Sequence, residues 1–132
     1  MARNYRKEYD NAYIAGLIDG EGCIRLSKKK GKIQDFYYHP VIEINITNEA
    51  VIDYMILMCG GKKYIKHWDN HYKTVYRWVL NKKEDIIELL RDIEPFCIIK
   101  AGQVKLLLRA LYEQPVCFPL IFERLKEEKK HG

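Results

Sequence analysis

Ala12, Gly16 and Gly20 recur at every fourth position, with Ala15 beside them. Residues four apart share one face of an α-helix, so this spacing predicts a helix with one nearly flat side. A side without bulk lets another backbone approach closely, and no second stripe of this kind occurs in the chain to meet it. The segment ends at Gly20-Glu21-Gly22, an acid held between glycines, where an unusual backbone conformation costs little. A carboxylate at such a place is either a structural peculiarity or a metal ligand. The plainer reading is an ordinary amphipathic helix with a glycine C-cap.

The remainder of the chain bounds what that helix can serve. With 132 residues, 48% apolar and 31% charged, it predicts a single globular domain over residues 1–132 with a real core. No run approaches the ~20 apolar residues of a membrane span, and Met1 to Asp10 lacks the apolar stretch of a secretory signal. Cys23, Cys59, Cys97 and Cys117 are far apart with no CxxC pair, which favours neither zinc nor disulfides and fits an intracellular, reducing location. Neither a nucleotide loop nor a catalytic-triad spacing occurs, so no small-molecule cofactor is expected. The formal charge is +5. Its placement is more informative: Arg25, Lys28, Lys29, Lys30 and Lys32 in one stretch, Lys62, Lys63, Lys66, Lys73 and Arg77 in another. Tyr64, Trp68, Tyr72, Tyr76 and Trp78 are interleaved with the second. This suits either a nucleic-acid surface or a solvated sheet edge whose lysines discourage pairing.

Periodicity orders the elements. Asp10 or Asn11 can cap the first helix, which runs to about Gly20. Alternation over Cys23 to Lys30 predicts a strand, and Val41 to Thr47 a second, with Ile42, Ile44 and Ile46 on one face. Residues 33 to 40 are extended but irregular, closed by Pro40. A helix capped by Thr47 or Asn48 carries Val51, Ile52, Met55 and Cys59 inward and stops at Gly60-Gly61. Lys62 to Trp68 and Tyr72 to Leu80 form a hairpin. Asn81 and Glu84 make a capping box for a helix that Pro95 ends. Val104, Leu107, Leu108 and Leu111 mark the next helix, and a last one starts near Pro119 and dissolves from Glu127. The order α-β-β-α-β-β-α-α-α is an α+β fold, a four-stranded antiparallel sheet with helices on one face.

Residues Ile14-Ala15-Gly16-Leu17-Ile18-Asp19-Gly20-Glu21-Gly22 resemble the LAGLIDADG motif of the homing endonucleases, departing at Ile14 for Leu and Glu21 for the final Asp. The element order resembles a single-motif subunit of that family, so the likeness spans nearly the whole chain. It implies a homodimer in which Ala12, Ala15, Gly16 and Asp19 face their two-fold copies, Asp19 also holding the helix end. It further implies a site-specific endonuclease of the intron-encoded type, acting on a long, nearly palindromic double-stranded DNA and cutting each strand once. Mg²⁺ would be the cofactor, with Mn²⁺ a substitute and Ca²⁺ binding without supporting cleavage. The ligands carried over are Glu21 and the backbone carbonyl of Gly20. The run Pro95 to Lys100 resembles the family's catalytic-lysine loop, which nominates Lys100, a cation whose position at a helix start opposes the helix dipole. Asn48 falls where the family often places a water-organising Gln. Ile52 replaces a basic residue, which leaves the second basic group unassigned. His67 and His71, on a hairpin, do not make a reliable metal pair.

If the sheet meets DNA, a β-ribbon suits the major groove and alternation assigns the reading face. Arg25, Ser27 and Lys29 face the groove from the first strand, and His39, Val41, Glu43 and Asn45 from the second. Lys66 and Trp68 join from the third, and Lys73, Val75 and Arg77 from the fourth, which turns Trp78 and Leu80 inward. The competing class is a binding protein, either an RNA-splicing maturase or a relative that has lost cleavage.

Overall fold

Two periodicities, 3.6 and 2, separate cleanly along this chain, and the elements follow them. The computed structural model describes residues 5–30, 36–67, 73–112 and 118–131. In order they form α1 (Glu8–Glu21), β1 (Gly22–Lys30), β2 (Phe36–Ile46), α2 (Glu49–Cys59), β3 (Lys62–Lys66), β4 (Val75–Leu80), α3 (Lys83–Ile93), α4 (Ala101–Tyr112) and α5 (Phe118–His131), with a 3-10 turn at Glu94–Phe96. The strands make one antiparallel sheet in the order β1-β2-β4-β3. The α+β order read from the sequence is the order observed.

Cross-strand partners share a face, so the register sorts the side chains. Ile24 pairs with Ile42, Ile44 with Trp78 and Ile42 with Leu80. These residues are at most 1% exposed. They pack with Ile14 and Ile18 of α1, Ile52 and Met55 of α2, Ile86 and Leu90 of α3, and Val104 and Leu107 of α4 in one cluster. Each such side chain contributes about 1.5–3 kcal/mol on burial. Gly60 and Gly61 end α2 with φ of 78° and 95°, a left-handed region in which glycine carries no Cβ penalty. The Gly60 carbonyl accepts from Trp78 Nε1 at 2.8 Å, which satisfies the indole of a fully buried tryptophan.

Several boundaries differ from the sequence expectation. Strand β2 runs straight through Pro40, which pairs with Leu26. Strand β4 reaches no further than Ile42, so the strand is an edge on that side at Pro40, where a missing N–H is tolerated. Helix α1 begins two residues before Asp10. That carboxylate instead accepts from the Lys7 N–H at 3.0 Å, inside the first turn. No side-chain cap hydrogen bond forms at α3, whose N-cap is Lys82, so Asn81 and Glu84 do not make their box. Helix α5 continues to His131 instead of fraying at Glu127. The middle of the expected hairpin, 68–72, lies outside the described residues.

One anchor had no signal in the pattern. Arg6, 8% exposed, donates to the Met58 carbonyl at 2.9 Å, to Asp92 at 2.8 Å and to Asn11 at 3.0 Å. It ties the start of α1 to α2 and α3.

Candidate functional site

Helix α1 has two unlike sides. Asp10, Ile14, Ala15 and Ile18 are buried within the chain, whereas Ala12, Gly16, Gly20 and Glu21 are exposed. A Cβ built on Gly16 or Gly20 meets nothing within 4 Å, so these glycines are not required by packing inside this chain. Ala15 corrects the expected stripe. At 0% exposure it belongs to the core, because the rotation of the helix that buries Ile14 and Ile18 carries the residue between them inward too. The exposed stripe is Ala12, Gly16 and Gly20, with Tyr9 and Tyr13 at its N-terminal end.

The glycine after the acid is explained by contact, not by conformation. Gly22 has φ −87° and ψ 161°, an ordinary extended backbone. A Cβ there would lie 2.8 Å from the Cα and carbonyl oxygen of Ile18. The chain turns so sharply from α1 into β1 that only a residue without a side chain fits.

Asp19 and Glu21 then diverge. The Asp19 carboxylate accepts from the backbone N–H groups of Ile98 at 2.7 Å, Ile99 at 3.3 Å and Lys100 at 3.0 Å. It therefore supplies, from α1, the cap that α4 lacks in its own sequence, and its charge sits favourably at that helix N-terminus. Partial burial pushes its pKa up, but the three N–H donors, with Lys100 nearby, outweigh that and hold it below 3.8. Asp19, expected at a subunit interface, thus turns its carboxylate into its own chain. Glu21, two residues on, is exposed.

Lys100 is brought to the same place. Its Nζ donates to the Asp19 backbone carbonyl at 2.6 Å, one residue before Gly20. The sequence put this cation at a helix N-terminus, against the dipole. The structure relieves that conflict, because the ammonium reaches the carbonyl end of α1, where a cation is favourable. Beside it Cys97 is 8% exposed, and burial, then the Asp19 charge, push its thiol up to about 11, so it is not a nucleophile at neutral pH.

Asn48 has a different place. Its Oδ1 accepts from the Val51 N–H at 3.4 Å as the N-cap of α2. It lines a cavity of about 550 Å³ with Tyr9, Tyr13, Val51 and Tyr54, beside the N-terminal half of α1. The cap gives Asn48 a structural role at the start of α2.

The outer face of the sheet follows from the register. Arg25 pairs with Val41, Ser27 with His39, Glu43 with Val79, Asn45 with Arg77 and Lys66 with Val75. Lys29 continues the β1 row, exposed. Cys23 pairs with Glu43 on this same face. Val41 corrects the expectation within that set. It is 4% exposed, and its short side chain does not reach past its longer cross-strand partner Arg25. Lys73 is exposed just before β4 and not within a strand, and Trp68 lies outside the described residues. Lys62 and Tyr64 share the face through their pairing with Val79 and Arg77. Simple alternation from Lys66 would have added them.

The basic stretches divide between the two faces. Lys63 turns to α2, meeting Glu49 at 2.8 Å and Asp53 at 2.9 Å. Lys28 lies over the Phe122 ring of α5 at 5.8 Å. On the outer face Glu43 accepts from Arg25 Nε at 3.3 Å and from Arg77 Nε at 2.8 Å, with Arg77 Nη2 also in contact. Burial pushes Glu43 up, and the hydrogen bonds from Arg77 and Arg25 outweigh it and hold its carboxyl below the usual range. His39 is held below its ordinary value by burial, then by Lys29 and Arg25, so it is neutral at pH 7. His67 contacts Thr74 at 3.2 Å across the hairpin, and His71 lies outside the described residues.

No group of three or more His, Cys, Asp or Glu among the described residues is placed to hold a metal ion. What this chain offers is the Glu21 carboxylate and the Gly20 carbonyl, in a last turn of α1 that lacks intrahelical donors. These are hard oxygen donors of the type that suits Mg²⁺, and they amount to part of a coordination shell.

This frame, an acid at the end of a small-residue helix beside a four-stranded antiparallel sheet, can be compared with known proteins. Residues 14–96 match the profile of the LAGLIDADG endonuclease family. The chain belongs to that family. The LAGLIDADG match begins at Ile14 and ends at the turn after α3. Among curated relatives, a probable intron-encoded endonuclease aI2 of Debaryomyces hansenii is 28% identical over 98 residues, 64% of this chain. The chain spans 14% of that relative's length. Among solved structures, the homing endonuclease I-CvuI, in complex with its target in the presence of 2 mM Ca, superposes with a TM-score of 0.76 at 15% identity. The superposition covers 92% of this chain and 82% of that one. An archaeal intron-encoded homing endonuclease, I-Vdi141I, complexed with DNA, gives 0.74 at 20% identity, covering 93% and 86%. These likenesses establish the LAGLIDADG fold. No helix among the described residues is long and apolar enough to cross a membrane.

Proposed function

We propose that this LAGLIDADG chain works as a homodimeric, metal-dependent, site-specific DNA endonuclease of the intron-encoded type, cutting each strand of a nearly palindromic duplex once. The observation that carries the reading is the state of the α1 terminus. Glu21 is exposed beside two glycines, Gly16 and Gly20, whose Cβ positions meet nothing in their own subunit. A two-fold copy packed on that face brings the two Glu21 side chains together, and their mutual repulsion is relieved by a cation. The I-CvuI complex with its target and the I-Vdi141I complex with DNA support the substrate class.

In this reading the Gly20 carbonyl and the Glu21 carboxylate hold half of a Mg²⁺ site, with Mn²⁺ as a substitute and Ca²⁺ supporting binding alone. When bound, such an ion would supply activation of water and neutralisation of phosphate charge. The chain's own residues supply position. Asp19 fixes the loop before α4 through three N–H bonds, and that loop holds the Lys100 ammonium within one residue of the ligands. There Lys100 offsets the charge that develops on the scissile phosphate. The sheet's outer face, with Arg25, Ser27, Lys29, His39, Asn45, Lys66, Val75 and Arg77, and with Lys73 just ahead of β4, lies in the major groove and sets the site.

The test is to incubate the purified protein with Mg²⁺ and duplex DNA from the locus that its intron would occupy, beside Glu21→Gln. The wild type leaves a double-strand break, and the variant binds equally but cuts about 10²–10³-fold more slowly, the scale of losing a preorganised electrostatic group. Cleavage by Glu21→Gln at the wild-type rate refutes the site. Binding without cleavage by the wild type, or preference for structured RNA, points to the cleavage-deficient or maturase reading.

A further inference from the structure

We infer that Glu43 is not a base reader but the clamp that aims Arg25 and Arg77, a positioning residue for DNA specificity. The inference rests on the outer face being the DNA surface. Glu43 lies on the central strand β2, between Cys23 of β1 and Val79 of β4. Its side chain is 13% exposed, against 34% for Arg25 and 42% for Arg77. Both carboxylate oxygens are engaged: Oε1 by Arg25 Nε, Oε2 by the Nε and Nη2 of Arg77. An acidic side chain reads DNA by accepting from a cytosine amino group. Here both oxygens are taken by guanidiniums that stand further into solvent than the acid does.

The atoms used decide what remains. Arg25 gives Glu43 only its Nε; nothing among the described residues accepts from either of its terminal nitrogens. Arg77 gives one long edge and keeps Nη1. A guanidinium held by one edge and open at the other is a preorganised donor, and a bidentate arginine is the commonest specific contact to guanine. Without the carboxylate, two like charges on the strands either side of β2 repel, and each becomes a mobile side chain that settles on whichever phosphate is near.

Glu43→Gln makes a sharp probe. It keeps the shape and one acceptor oxygen but puts an amide donor where the second acceptor stood, so it retains one arginine at most. The measurement is enrichment from a pool of duplexes randomised over both half-sites, bound in Ca²⁺, for the wild type, Glu43→Gln, Glu43→Ala, Arg25→Ala, Arg77→Ala and the Glu43→Gln/Arg25→Ala pair. For the Glu43 variants we expect discrimination to fall about ten-fold at the base pairs that the arginine variants also relax, the scale of one good base contact. Affinity for random duplex rises, and the log–log salt slope steepens by about one for each arginine that turns to a phosphate. The double variant matches Arg25→Ala at the Arg25 position. Two results overturn the inference alone: loss at a single base pair that neither arginine variant touches, which makes Glu43 a reader, or lowered thermal stability with an unchanged enrichment profile. A wild type that enriches no sequence removes the DNA reading itself, and the clamp with it.

Discussion

The end of α1 and the outer face of the sheet are built from opposite materials. At the helix end, Asp19 is held by three backbone N–H groups and Lys100 by a backbone carbonyl. On the sheet, Glu43, Arg25 and Arg77 hold one another through side chains alone. Backbone partners are present whatever the neighbouring side chains are, so the first arrangement depends on little beyond Asp19 and the path of the chain. A side-chain network changes with each member. The part that would do chemistry is therefore fixed by the fold, and the part that would choose a sequence can be rewritten on it.

The most drastic way to break this contrast is at the bare helix face. Gly16→Leu adds bulk where a single subunit has open space. The isolated subunit keeps its fold by circular dichroism, while analytical ultracentrifugation shows the dimer lost and double-strand cleavage disappears. Dimerisation at wild-type strength would place the interface elsewhere.

A smaller effect is expected at Asp19. Asp19→Ala leaves three N–H groups without their carboxylate and loosens the loop that carries Lys100, whose backbone-carbonyl acceptor remains, at a cost of about 1–3 kcal/mol for a partly exposed charged acceptor, read by urea unfolding, with cleavage lowered more than DNA binding. The acid side tests the same contact. The folded pKa of Asp19 is below 3.8, so the unfolded chain takes up the proton first. The stabilisation is present above the ordinary value and is lost as pH falls through the folded one. Wild-type stability should drop more steeply than that of Asp19→Asn as pH falls below the ordinary carboxyl range.

Gly22→Ala sharpens the steric half of the argument. A methyl 2.8 Å from the Ile18 backbone forces α1 and β1 apart, destabilising by about 1–3 kcal/mol as overpacking does. An unchanged melting temperature would mean that this turn is looser than its geometry indicates. Least of all, Lys66→Ala on the sheet should leave stability within about 0.5 kcal/mol. It should weaken binding to all duplexes alike and reduce the salt slope by about one, in contrast to the position-specific changes expected of Arg25 and Arg77.

Much of this was legible in residue order. The period-2 runs at Ile24-Leu26 and Ile42-Ile44-Ile46 placed two strands and told their faces apart, because a strand buried on one side must alternate. The nine residues from Ile14 gave the family, since small, apolar and acidic residues in that order are rarely arranged so by chance. Arg6 and Lys63 were not legible in the same way. Their partners lie 86 residues away for Asp92, and 14 and 10 for Glu49 and Asp53, and a charge carries no periodic signal of whom it will meet.

By itself, then, the sequence determined the α+β order, the glycine-flanked acid and the basic face, all properties set by local spacing. Tertiary structure decided which side of α1 is bare, moving Ala15 into the core. It also decided that Asp19 faces Lys100 while Glu21 faces solvent, and that Glu43 sits between two arginines. Those outcomes depend on the rotation of one helix and the register of three strands, quantities fixed only when the whole core is packed.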